Sequence, residues 1–88
     1  MPLKMRTIVR DAIFEADAAE ICGSIKKSDD FLEAVELVLA RYPGCGTRLD
    51  KSHVWFLPAH TISLVVYYTF DDERVYLISV QETEILES

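Results

Sequence analysis

Residues 54–81, VWFLPAHTISLVVYYTFDDERVYLISVQ, read as one short strand followed by a long apolar β-hairpin, and no other stretch of the chain constrains its fold as much. Segment 61–70 is dense in β-branched and aromatic residues, which suit a pleated, half-buried surface. Asp71, Asp72 and Glu73 supply a polar turn, and 75–80 returns antiparallel. Alternation puts Ile62, Leu64, Val66 and Tyr68 on one face and Val65 and Tyr67 on the other. Both faces are apolar, so this strand is either central and covered twice or offers one face to a partner. The shorter strand, 54–57, runs into Pro58, which has no N–H to donate and marks a sheet edge or a strand end. Trp55 and Phe56 must point to opposite faces, which assigns one to the core and leaves the other partner-facing or partly exposed.

Upstream of the hairpin the pattern is helical. Residues 5–9 form a short strand rich in Thr, Ile and Val, and Asp11 then offers an N-cap. Phe14, Ala18, Ile21 and Ile25 recur on one helical face, with Gly23 weakening the end and Lys26 and Lys27 in the last turn, where cations oppose the negative helix terminus. Asp30 with Glu33 three residues on resembles a capping box and starts a second helix that runs to about residue 42. Its apolar stripe is Phe31, Val35, Val38, Leu39 and Tyr42, and Pro43-Gly44 stops it. Residues 43–52, PGCGTRLDKS, then read as a connecting loop. The order is strand, helix hairpin, then antiparallel strands: an α+β domain spanning 1–88, with its helices on one face of the sheet.

Half of the 88 residues are apolar, enough for an ordered core and too many for a disordered chain. The net charge of −6 argues against a general polyanion binder, because phosphate binding needs clustered Lys and Arg. The N-terminal residues lack the apolar run of a signal peptide, and no segment has the length of a membrane span, so a cytoplasmic protein without membrane association is expected. Cys22 and Cys45 fit reduced thiols better than a disulfide framework. With two His and two Cys outside any ligand spacing, neither a metal site nor a cofactor is expected.

One locus offers chemistry. Between residues 41 and 60 the chain carries Arg41, Arg48, Lys51, His53 and His60 against a single acid, Asp50, so this segment is mildly basic inside an acidic protein. One histidine as general base, with Arg41, Arg48 and Lys51 as phosphate or target contacts, is the catalytic reading. Ordinary solvated loop residues are the alternative.

The order of elements, the segment FLEAVELVLARYPGCGTRL (31–49) and the segment LVVYYTFDDERVYLISV (64–80) resemble the RelE/ParE toxin superfamily. The resemblance covers residues 8–80. It implies the toxin half of a type II toxin–antitoxin (plasmid stabilisation) module, neutralised by a cognate antitoxin and acting on DNA gyrase or, as an endoribonuclease, on ribosome-bound mRNA. Family members commonly place an Arg early in the central strand, where this chain has Leu64, and basic or proton-transferring groups after the last strand, where it has Gln81, Glu82, Thr83 and Glu84. Those departures imply a gyrase-directed or catalytically degenerate member over an efficient ribonuclease. A non-catalytic binding module, or a homo-oligomer that retains the fold, is the other class.

Overall fold

A computed structural model describes residues 5–59 and 64–82. The elements run β1 (Thr7–Val9), α1 (Ala12–Cys22), α2 (Ile25–Arg41), a 3-10 turn (Pro43–Cys45), β2 (Thr47–Arg48), β3 (Trp55–Ala59), β4 (Leu64–Phe70) and β5 (Arg74–Glu82). The strands form one sheet in the order β1-β5-β4-β3-β2. β1 joins the far edge parallel to β5, with Ile8 opposite Val75, and the other pairings are antiparallel.

Local chemistry explains the helix boundaries and moves two of them. Asp11 caps α1 by accepting from the Phe14 N–H at 2.8 Å, as expected. The helix stops at Gly23, whose φ of 88° few other residues adopt at low cost and whose N–H closes onto the Ala19 carbonyl. Ser24 at once caps α2 by accepting from the Lys27 N–H, so a capping box at Asp30 is incorrect, and Asp30 lies inside α2. Lys26 and Lys27 therefore sit in the first turn of α2, at its positive end, and Ile25 opens that helix largely exposed. With the start shifted, the buried stripe of α2 is Ser28, Leu32, Val35 and Leu39. Val38 and Tyr42, expected in the stripe, face outward.

Phe14 and Ala18 of α1 and Leu32, Val35 and Leu39 of α2 pack on Leu64, Val66 and Tyr68 of β4 and on Val75, Leu77 and Val80 of β5. These side chains form the core, and they lie on one side of the sheet. Val75 and Leu77 share a strand parity, whereas Val80 has the opposite one. A β-bulge reconciles them: Tyr68 pairs with Leu77 and Tyr67 with Ser79, which leaves Ile78 unpaired and returns Val80 to the core face opposite Val66.

Residues 43–52, expected to be a plain loop, contain the 3-10 turn and β2. Thr47 and Arg48 pair with Phe56 and Trp55, and the turn between the strands is tied by Leu49 N–H to the Val54 carbonyl and by the Ser52 hydroxyl to the Leu49 carbonyl at 2.6 Å. Asp50 takes φ 50° at the tip, a left-handed conformation that Asp tolerates better than most residues. β2 pairs only with the first two residues of β3. Leu57, Pro58 and Ala59 consequently form an outer edge unpaired among the described residues, which is where a strand can hold a proline.

Candidate functional site

Two surfaces are built by these elements: a cavity at one end of the sheet and the sheet face turned away from the helices. The cavity arises where β1, α2 and β4 meet. The N–H of Arg6 donates to the Ala40 carbonyl at 2.8 Å, so the residue preceding β1 is pinned to the last turn of α2. Arg6 shares the strand parity of Ile8 and projects to the helix side. Its Nε donates to the Asp71 carbonyl at 2.7 Å, and its guanidinium lies 5.7 Å from the centre of the Phe70 ring. Phe70 in turn packs against Trp55, with ring centres 5.3 Å apart. Arg41, Tyr42, Pro43, Gly44 and Cys45 line the opposite side of this cavity, which is a shallow depression wide open to solvent, with a volume of about 540 Å³.

The electrostatics of this cavity run against the rest of the chain. Among the described residues its lining holds two arginines and no acid, in a protein with 15 Asp and Glu against 9 Lys and Arg. Among the described residues, ion pairs form only at Arg10, which meets Glu15 and Glu36 at 3.4 Å each, and none of the three lines the cavity. Asp71 is the nearest carboxylate in sequence to Phe70, and its Oδ1 is occupied by the N–H groups of Glu73 and Arg74 at 2.8 and 2.7 Å. Those bonds hold its carboxyl below the usual range, so it stays ionised within its own turn. Burial pushes the Cys45 thiol up, which leaves it a poor nucleophile.

Beneath the cavity floor, the Tyr68 hydroxyl donates to the Pro43 carbonyl, fixing the 3-10 turn to the centre of the sheet. Burial, followed by the effect of charge at Cys45, pushes the Tyr68 phenol up to about 12.

The residues singled out from the sequence divide between this cavity and the adjacent hairpin. Arg41 lines the cavity. Arg48, Lys51 and His53 lie in or beside the β2–β3 turn, all exposed. Strand pairing places that turn at the same end of the sheet as the cavity, since Arg48 is opposite Trp55 and Trp55 touches Phe70. The Arg48 guanidinium folds back onto its own loop, with Nε donating to the Ser52 carbonyl at 2.8 Å. His53 contributes its backbone carbonyl, which accepts from the Thr69 hydroxyl at 2.7 Å. His60 lies outside the described residues. Arg6, Tyr42 and Phe70 were missed, and only Arg6 carried a signal: an arginine two residues before the apolar Ile8 shares its face.

The second surface is the sheet face turned away from the helices. Alternation presents Val9, Phe56, Pro58, Val65, Tyr67, Tyr76 and Ser79 there, with no described helix over them; Val65 is nonetheless buried, Val9 is exposed and the other five are half-buried. Phe56 and Tyr67 pack there with ring centres 6.3 Å apart. Trp55 packs against the core and Phe56 is half-buried on the opposite face, as the alternation of two adjacent strand residues requires. Tyr68 is core, while Tyr67 and Tyr76 are half-buried on the open face.

No helix among the described residues is long and apolar enough to cross a membrane. Cys22 and Cys45 are both free. Compared with models of known protein families and with curated proteins, the chain matches none.

Proposed function

We propose that the chain is a cytoplasmic toxin-type protein of the RelE/ParE kind, captured by a cognate antitoxin and acting on DNA gyrase or on the translating ribosome without efficient mRNA cleavage. The observation that carries this reading is the sheet face turned away from the helices: an apolar, aromatic-rich, half-buried surface beside the edge at Leu57–Ala59 that is unpaired among the described residues, suited to an apolar partner segment that adds a strand or lies across the sheet. The order of elements supports the same reading.

Charge supports the non-nucleolytic branch. The helix pair, residues 11–41, carries eight acids against three bases, so it repels nucleic acid. In the nucleolytic branch His53 would be the base and Arg41, Arg48 and Lys51 the phosphate contacts, but the Arg48 guanidinium is already held by its own turn. Leu64, buried in the core at the start of β4, supplies no charge to a phosphate.

Two cell-free assays test the proposal. Purified chain is expected to block gyrase supercoiling, or to stall a translation extract while full-length mRNA persists, and His53→Ala should leave that inhibition unchanged. Codon-specific mRNA cuts lost on His53→Ala would overturn the non-nucleolytic branch. An unaffected gyrase and an unaffected extract would replace the toxin reading with a binding module or homo-oligomer.

A further inference from the structure

We propose that the cavity between Arg6 and Arg41 binds a phosphate monoester carried on a planar ring. This inference is independent of the toxin reading, because it rests on the helix side of the sheet end and makes no use of the open face.

The anion follows from the lining. Two guanidiniums line one depression with no carboxylate among its described lining residues, in a chain of net charge −6. Arg6 is held in place before any ligand arrives: its backbone is bound to Ala40, its Nε to the Asp71 carbonyl, and its plane rests by the Phe70 ring. That leaves its two terminal nitrogens to donate. Arg41 makes no ion pair among the described residues, and it stands in the last turn of α2, where the carbonyl end of the helix offsets part of its charge.

Phosphate suits this pair better than carboxylate. One arginine fork satisfies both oxygens of a carboxylate, whereas two forks need a third acceptor oxygen, which a phosphate monoester supplies.

The planar ring follows from size and from Tyr42. The depression is open and about 540 Å³ in volume, which leaves room beside a bound phosphate for a flat body lying against its wall. Tyr42 lines the cavity yet is 55% exposed, which makes it the aromatic on this wall with a free face for stacking. Pro43 beside it is buried and rigid, tied from below by Tyr68.

Gly44 provides a clean way to close the site. A Cβ there meets nothing within 4 Å, and its backbone is outside the left-handed region, so Gly44→Leu places a bulky side chain on the lining without strain.

The test is a titration of the full chain with phenyl phosphate, read by amide chemical shifts. Saturable binding is expected, with shifts grouped at Arg6, Phe70 and residues 41–45, and inorganic phosphate about tenfold weaker because it lacks the stacking body. Arg41→Gln, an exposed position, and Gly44→Leu are each expected to weaken phenyl phosphate at least about tenfold while leaving the melting temperature unchanged. Absence of saturation, shifts centred elsewhere, or affinity untouched by both variants would overturn the site. Equal affinity for inorganic phosphate would overturn the ring.

Discussion

Gly46→Ala is expected to destabilise the protein by about 3 kcal/mol, more than a single added methyl usually does at a well-packed site. A Cβ at position 46 would collide with the Tyr68 hydroxyl and stand 2.5 Å from the Phe56 carbonyl oxygen. Neither neighbour can give way cheaply. Tyr68 is fully buried and its hydroxyl is bonded to Pro43, while Phe56 is paired with both Thr47 and Tyr67 in the sheet. The extended backbone of Gly46 (φ −79°, ψ −164°) suits any residue, so the penalty is one of packing alone.

Tyr68→Phe by itself should cost about 1–2 kcal/mol, because it strips the Pro43 carbonyl of its donor. Combined with Gly46→Ala it should recover part of the loss, since one of the two colliding atoms is gone. Urea unfolding of the four proteins checks this, and strict additivity would contradict it. The same tyrosine sets an alkaline limit. Its folded phenol is raised from the ordinary value of 10.0 to about 12, so the native chain keeps a proton that the unfolded chain loses. The associated stability is fully present below pH 10 and falls as pH rises toward 12, and Tyr68→Phe should flatten that decline.

Val80→Asp is expected to cost on the order of 4 kcal/mol, whereas removing Ile78 outright should be tolerated. Val80 is 3% exposed and lies beside its strand partner Val66 on the core face of the sheet, so an aspartate there would be an unpartnered charge among aliphatic groups. Ile78 is the unpaired residue of the bulge and is about half exposed. Deleting it joins Leu77 directly to Ser79, which already stand opposite Tyr68 and Tyr67, so the ladder becomes regular and Val80 keeps its partner. Thermal unfolding of the two variants decides the matter: a folded, cooperative Ile78 deletion beside a Val80→Asp variant near its unfolding threshold is the expected pair of results. A deletion as damaging as the substitution would show that the bulge is itself required.

How far the sequence announced this fold depends on the range of the interaction that decides each element. The central hairpin was legible because its apolar density and the Asp71–Glu73 turn are local signals. Asp11 was legible for the same reason. The start of α2 was not, since Ser24 and Asp30 are both competent caps and the contest was settled by the left-handed Gly23 and by which face of the helix meets the sheet. β2 escaped notice because two residues, Thr47 and Arg48, carry no periodicity and are held by their partners in β3. The bulge was hidden in the parity of Val80. Of the candidate site, Arg41 was found through the local excess of base. Arg6 lies 35 positions away from it, and only the bond from its N–H to the Ala40 carbonyl brings the two together.

The central claim, that this scaffold works as a toxin held by a partner, is tested most directly by growth. The measurement is the growth rate of a bacterium in which the chain is induced alone and then together with the neighbouring reading frame. Arrest by the chain alone, relieved by the neighbour, and escape from that relief when Tyr67→Asp alters the open face, is the predicted result. Unimpaired growth of cells that demonstrably accumulate the folded chain would contradict it.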